Sequence, residues 1–288
     1  MVSFKARALA AGLALATFAA PAPLLAAPYV IAGSDTFAMT SQAGAHYRVH
    51  VQVPERPAPP GGFAVLYLLD GDMTFASAVE TAQRLARFGR DEGQSEGIVV
   101  AIGYPDGDDM LARRSFDYTP EGPPDAVAHP TGGAPVFRRF LAGELMPRIA
   151  SSYRIDTARQ TLWGHSFGAL FVLDTLLGQP ELFRNYVATS PSLWFGARSL
   201  EGGLGGLPAR LAVAGPRTLH LGVGEREQDS VRARSQAMAM THRELADRLA
   251  AVANLEVHSR VYSGESHGGT LLPGLGQAVR VAFQEARP

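Results

Sequence analysis

Gly164-His165-Ser166-Phe167-Gly168 sets a serine between two glycines. It follows the apolar run Thr161-Leu162-Trp163 and precedes Ala169-Leu170-Phe171-Val172-Leu173. A strand, a Gly-x-Ser-x-Gly turn and a helix in that order make a nucleophile elbow. The turn is so tight that the serine takes a strained backbone conformation, and its neighbours two residues away are expected to be small. It lifts the hydroxyl above a sheet at a helix N-terminus, where the Phe167 amide can point at a developing oxyanion. In a chain with 31 glycines the bare pattern arises readily by chance, so the strand before it and the helix after it carry the meaning.

A serine hydroxyl is a weak nucleophile until a base takes its proton, and histidine is the base suited to neutral pH. Of eight histidines, His267 stands out, in the flexible segment Ser263-Gly264-Glu265-Ser266-His267-Gly268-Gly269 between the last expected strand and the last expected helix. His165 adjoins the serine, but its side chain is expected to point away across the turn. His220 alternates with apolar residues inside a strand, which suits a structural role. The acid that orients the imidazole and stabilises its protonated form is expected after the strand at 217–222. Glu225, Glu227 and Asp229 all qualify there, and residue type leaves the three open. A second oxyanion amide is expected from Leu69-Asp70-Gly71-Asp72, where Gly71 permits close backbone approach to a substrate.

Charge and aromatic surface near this chemistry come from three residues. Arg113 and Arg114 follow Gly103-Tyr104-Pro105, on the side of the sheet where strands reach their carboxyl ends and ligands bind in open α/β sheets. A guanidinium joins charge to a stacking face and suits anionic, planar, aromatic ligands. The competing expectation is an ion pair with Asp106, Asp108, Asp109 or Asp117. Trp194 follows the next strand, where it either lines the same cleft or packs into the core.

The elements that must position these groups read as an α/β pattern. Strands are expected at 29–40, 45–53, 63–69, 97–102, 185–189, 217–222 and 255–262, besides the strand that enters the serine turn. Helices are expected at 73–88, 135–153, after Gly168, within 227–254 and at 271–285. The run 63–69 is apolar throughout, as in a central strand buried on both faces. Residues 103–135 read as one long loop, of a length that is functional or mobile in compact domains. Strands alternating with helices imply a mostly parallel sheet covered on both faces, in a single domain over 28–288.

Composition narrows the chemistry. The chain of 288 residues is 46% hydrophobic, ample for a sizeable core, and its net charge of −1 with no basic stripe gives no footprint for nucleic acid. The absence of cysteine excludes disulfides, thiolate metal sites and a cysteine nucleophile. No metal-ligand spacing is present, and no cofactor is expected. At the N-terminus, Lys5 and Arg7 precede an apolar stretch over 8–20, then small residues through Ala27. This reads as a signal peptide over 1–27, so a periplasmic or secreted protein with no stable membrane insertion is expected.

Eight stretches occur in order: Tyr67-Leu68-Leu69-Asp70-Gly71, Gly103-Tyr104-Pro105, Arg114 through Asp117-Tyr118-Thr119-Pro120, Thr131-Gly132-Gly133-Ala134, the serine turn, Ser190-Pro191-Ser192-Leu193-Trp194, Gly224-Glu225-Arg226-Glu227 and Ser266-His267-Gly268. In these the chain resembles the esterase branch of the α/β-hydrolases that includes the enterobactin and bacillibactin esterases, over nearly all of the expected mature part. The serine turn alone is generic; Asp-Tyr-Thr-Pro and Pro-Ser-Leu-Trp in sequence order are far more specific. The resemblance implies an α/β-hydrolase fold and hydrolysis of ester bonds, in siderophore members the lactone esters of ferric catecholates. It implies Ser166 as nucleophile, His267 as base, and Gly71 and Phe167 as oxyanion donors. It maps the acid to Glu227 through Gly224, with Glu225 as fallback, although some similar siderophore esterases manage with a serine-histidine pair. Iron, where present, belongs to the substrate. Phe167 and Ala169 stand where leucine and glycine are common, and Phe167 alters the wall of the acyl pocket. The alternatives are a general carboxylic-ester hydrolase or acyltransferase of the same fold, and a non-enzymatic chelate binder.

Overall fold

The run Phe63–Leu68 forms strand β3, and Ile98–Gly103 forms β4 beside it; every residue of both is buried. Such strands need cover on both faces. The computed structural model describes residues 29–122, 128–227 and 240–285. The segment 1–27, read as a signal peptide, and Asp229 lie outside the described residues.

The other strands are β1 (Ser34–Thr40), β2 (His46–Gln52), β5 (Ile155–His165), β6 (Asn185–Thr189), β7 (Arg217–Gly224) and β8 (Leu255–Tyr262). They form one sheet in the order β1-β2-β4-β3-β5-β6-β7-β8. The β1–β2 and β2–β4 pairs are antiparallel, and every pair from β4 to β8 is parallel. This is the α/β architecture expected from the alternation of strands and helices.

Helices fill both faces: α1 (Gly71–Phe88), α2 (Met110–Tyr118), α3 (Ala134–Phe140), α4 (Met146–Ser152), α5 (Phe167–Gly178), α6 (Leu193–Leu204), α7 (Leu207–Ala214), α8 (His242–Ala250) and α9 (Leu271–Phe283). Successive side chains of a strand alternate between faces. Accordingly Val65 and Tyr67 of β3 join a core with Phe137, Phe140 and Phe171. Ala64, Leu66 and Leu68 pack with Val79 of α1 and Val279 and Phe283 of α9 on the other face. Helix α5 is apolar nearly all round and buried along its length, so it runs inside the molecule with the serine at its head.

The structure departs from the sequence expectations in four places. The expected loop at 103–135 contains α2, started by Asp109, whose side chain accepts from the amides of Leu111 and Ala112 at 3.0 and 3.1 Å. The expected helix at 135–153 is interrupted by a π-turn at Leu141–Leu145. Pro147 has no amide hydrogen for the carbonyl four residues back, and the ladder widens just before it. The expected helix within 227–254 is, among the described residues, only α8. It begins at a capping box in which Thr241 Oγ1 accepts from the Glu244 amide and the Glu244 carboxylate accepts from the Thr241 amide. Glu227 ends a short 3-10 turn directly after β7. Helices α6 and α7 fill the span between β6 and β7, for which the sequence pattern suggested no helix.

Candidate active site

Ser166 sits between β5 and α5 with φ +60° and ψ −117°, a strained conformation for a residue with a side chain. Its amide is held by the Thr189 carbonyl at the end of β6, 3.1 Å away. A Cβ on Gly164 would lie 2.4 Å from the Gly168 carbonyl carbon, which no side chain survives. Gly168 is under less constraint. A Cβ there would meet Leu69 and Asp70 at 3.4 to 3.6 Å, ordinary contact, so only the first glycine is forced by space. The same distances place the β3–α1 turn directly against the elbow.

Three of the residues singled out by sequence meet. Ser166 Oγ lies 3.0 Å from His267 Nε2, and His267 Nδ1 lies 3.0 Å from Glu227 Oε2. The other Glu227 oxygen accepts from Ser190 Oγ at 2.6 Å and from the Gly224 amide at 2.7 Å. Burial pushes the Glu227 carboxyl up. The hydrogen bonds from His267, Ser190 and Gly224 outweigh burial and hold it below the usual range. Glu227 is therefore a carboxylate at neutral pH, able only to accept. In the neutral imidazole this places the proton on Nδ1 and leaves Nε2, facing the serine, as an acceptor. Glu225 lies elsewhere: its carboxylate accepts from Ser263 Oγ at 2.9 Å and from the Gly264 amide at 2.7 Å. It braces the loop that carries His267 rather than touching the imidazole.

His165 departs from the expectation that its ring points out of the site. It is buried under the His267 loop, with the two imidazole centroids 4.9 Å apart. Its Nε2 lies 2.8 Å from the His267 carbonyl and 3.2 Å from Thr270 Oγ1. Burial, and then the neighbouring His267, push its pKa down to about 4, so it is neutral at pH 7 and donates to that carbonyl. Thr270 Oγ1 lies 2.7 Å from Ser190 Oγ and 2.7 Å from the His267 carbonyl. Two hydroxyls and one imidazole thus tie the Glu227 carboxylate to the His267 backbone. Sequence reasoning missed Ser190, Ser192 and Thr270. The Ser-Pro-Ser run directly after β6 is the available signal for the first two; Thr270 offered none.

The opposite wall is built from the β3–α1 turn. Gly71 and Phe167 are the first residues of α1 and α5, so neither amide has an intrahelical acceptor. Asp70, before Gly71, is buried with φ +53°. Its amide donates to Tyr118 Oη at 3.1 Å, and its carboxylate accepts from Arg114 Nε and Nη2 at 2.9 and 3.1 Å. Arg114 therefore adjoins the elbow with its charge already paired, while its guanidinium lies over the Phe167 ring. Arg113 is paired with Asp108, approaches Asp117 at 3.9 Å, donates to the His46 carbonyl at 2.9 Å, and lies over the Tyr104 ring. Of the four aspartates weighed as partners, Asp108 and Asp117 face Arg113, whereas Asp106 pairs with Arg48 and Asp109 caps α2; Arg114 instead takes Asp70. Trp194 is half-buried against Phe167, with ring centroids 5.8 Å apart, on the aromatic side of the serine.

Among the described residues no group of three or more His, Asp or Glu side chains could hold a metal ion. The arrangement suits nucleophilic attack by a serine assisted by an oriented imidazole.

The sequence signature of the family described as "Putative esterase" matches residues 40–270, a span that contains Ser166, Glu227 and His267. The chain is 31% identical over 272 residues to the ferri-bacillibactin esterase BesA of Bacillus subtilis, covering 90% of this chain and 93% of that protein. It is 33% identical over 247 residues to the siderophore enterobactin esterase of Emericella nidulans, covering 73% and 78%. The crystal structure of the BES protein from Bacillus cereus superposes with a TM-score of 0.78 at 29% identity, covering 89% of this chain and 97% of that one. With the signature and the relatives spanning most of the described fold, the chain belongs to this esterase family of α/β-hydrolases.

Proposed function

We propose that the protein hydrolyses the ester bonds of a siderophore through an acyl-enzyme on Ser166. The observation that carries this reading is the continuous path from Ser166 Oγ to His267 to Glu227, with both links at 3.0 Å. In the first half-reaction Ser166 Oγ attacks the ester carbonyl as His267 Nε2 takes its proton, and Glu227 stabilises the imidazolium. The amides of Gly71 and Phe167 receive the oxyanion; a single donor of this kind is worth about 3 kcal/mol in other hydrolases. The imidazolium proton goes to the departing alcohol. Water, activated by the same imidazole, then releases the acid from the serine.

The substrate class follows the relatives, which are named as siderophore esterases. A ferric catecholate trilactone fits this reading, with the iron as part of the substrate. The ion pairs that already occupy Arg113 and Arg114 support a second reading, a carboxylic-ester hydrolase or acyltransferase for substrates without strong negative charge. Product mass spectra from a panel of iron-loaded and iron-free siderophores, beside p-nitrophenyl butyrate, separate the two. Siderophore turnover with a far higher kcat/KM than the simple ester supports the first; turnover of the simple ester alone supports the second. The reading includes export directed by residues 1–27, which N-terminal sequencing of the protein from a periplasmic or culture-medium fraction tests.

A further inference from the structure

Ser192 is the N-cap residue of α6, where a serine side chain ordinarily accepts from the second or third amide of the helix. Its side chain makes no capping bond. The Phe195 amide, third in the helix, goes instead to the Ser192 backbone carbonyl at 3.0 Å. The hydroxyl is free to turn elsewhere, and it turns to the nucleophile: Ser192 Oγ lies 3.2 Å from Ser166 Oγ. The contact is sheltered, since Ser192 is only 2% exposed, and the Ser192 amide also donates to the Ser166 carbonyl at 3.3 Å.

Counting hydrogens gives the direction. In the neutral form, His267 Nδ1 faces the Glu227 carboxylate and donates to it, so Nε2 accepts the Ser166 hydroxyl hydrogen. Ser166 Oγ then offers Ser192 only a lone pair, and Ser192 is the donor. We propose that the Ser192 hydroxyl is a further catalytic group, one that speeds release of the acyl group from Ser166. The proposal rests on the acyl-enzyme reading above.

In that step water adds to the acyl carbon and gives a proton to His267 Nε2. The tetrahedral intermediate then collapses. Its C–Oγ bond breaks, the electron pair stays on Ser166 Oγ, and the Nε2 proton passes to that oxygen. The ester oxygen of the acyl-enzyme is a poor hydrogen-bond acceptor, whereas the departing alkoxide is a strong one. The Ser192 bond therefore strengthens between ground state and transition state, the condition for accelerating a step. In acylation the free serine hydroxyl already accepts this bond, and little is gained.

Ser192→Ala tests this, with p-nitrophenyl butyrate as substrate and a fluorophosphonate as a label for Ser166. Labelling needs only a folded site and a competent nucleophile, so it separates folding from deacylation. The expected result is a labelling rate and a kcat/KM within about threefold of wild type, with kcat and KM both down about tenfold, the size of one ordinary hydrogen bond. The butyrylated fraction during turnover, read by intact mass after acid quench, should equal or exceed that of wild type. A kcat/KM that falls as far as kcat, with a smaller acylated fraction, would make Ser192 a support for attack and overturn the proposal. Loss of labelling, or an unchanged kcat with an unchanged acylated fraction, would overturn it as well. Wild-type turnover without any acyl or phosphonyl adduct would instead remove the acyl-enzyme reading itself, and this proposal with it.

Discussion

The Ser190 hydroxyl donates to Glu227 Oε1 across 2.6 Å, from a residue whose own backbone is held at φ +52°. That strained position is fixed by the Ser190 amide on the Gly222 carbonyl at 2.7 Å. The end of β6 thereby clamps the Glu227 carboxylate at the end of β7. A carboxylate with one oxygen pinned by a hydroxyl and an amide leaves its other oxygen for the imidazole.

This clamp ranks three variants. Glu227→Gln should lower kcat by about two to four orders of magnitude with little change in KM, because the imidazole loses its orienting anion. Ser190→Ala should lower kcat about tenfold, the scale of one hydrogen bond to a charged group. Glu225→Gln should leave kcat within about threefold, since Glu225 only braces Ser263 and Gly264. Steady-state kinetics on a simple ester gives the order, and a Glu225 variant weaker than the Glu227 variant would reverse the assignment.

The elbow glycines should behave unequally. Gly164→Ala forces a methyl into the backbone of Gly168 and should abolish soluble, active protein. Gly168→Ala makes ordinary contacts, and its Tm should stay within a few degrees of wild type with activity retained. Expression yield, thermal melting and esterase rate distinguish them, and equal damage would contradict the spacing.

Asp117 offers a test of sign. Burial pushes its carboxyl up to about 6, against the opposing influence of Arg113 and the Tyr47 and Tyr104 hydroxyls. Between about pH 4 and about pH 6 the folded state holds a proton there that the unfolded chain has released. This group therefore lowers stability as pH rises through that window and adds no slope above it. Asp117→Asn stays neutral throughout. The Tm of the variant relative to wild type should move in the variant's favour by a few degrees from about pH 4 to about pH 7. A shift in the opposite direction would contradict the raised pKa.

Arg114 should act on every substrate alike. Its two bonds to Asp70 hold the turn that presents Gly71. Breaking such a pair leaves a buried carboxylate uncompensated, at a cost of about 3 kcal/mol or more. Arg114→Gln should therefore reduce kcat/KM by a similar factor for a ferric catecholate and for p-nitrophenyl butyrate, at low and high salt. A loss confined to the anionic substrate and relieved by salt would return Arg114 to ligand binding.

Legibility in the sequence followed the range of the interactions. Ser166 was readable because its strand, turn and helix are contiguous, whereas the residues alone left Glu225, Glu227 and Asp229 open and only the resemblance, through Gly224, singled out Glu227. His267 stood out by its place between the last strand and the last helix. The supporting shell was not readable. Thr270 meets Ser190 across 80 residues and His165 across 105, and no local pattern encodes such contacts. Ion pairs at the arginines were sought among the nearby aspartates, which holds for Arg113, while Asp70, the partner of Arg114, stands 44 residues upstream and outside that set. Helix α2 was hidden by the proline and glycine around it, although Asp109 ahead of Leu111 and Ala112 is an ordinary N-cap signal.

The most direct measurement is single turnover of a radiolabelled trilactone siderophore, iron-loaded, with the enzyme in excess, comparing wild type and Ser166→Ala. The expected result is a labelled acyl group on the Ser166 peptide of wild type, formed and lost at rates that account for turnover. The variant should be folded and slower by several orders of magnitude. A Ser166→Ala enzyme that keeps more than about a tenth of the wild-type rate, or a wild type that turns over with the label never on Ser166, would contradict the account.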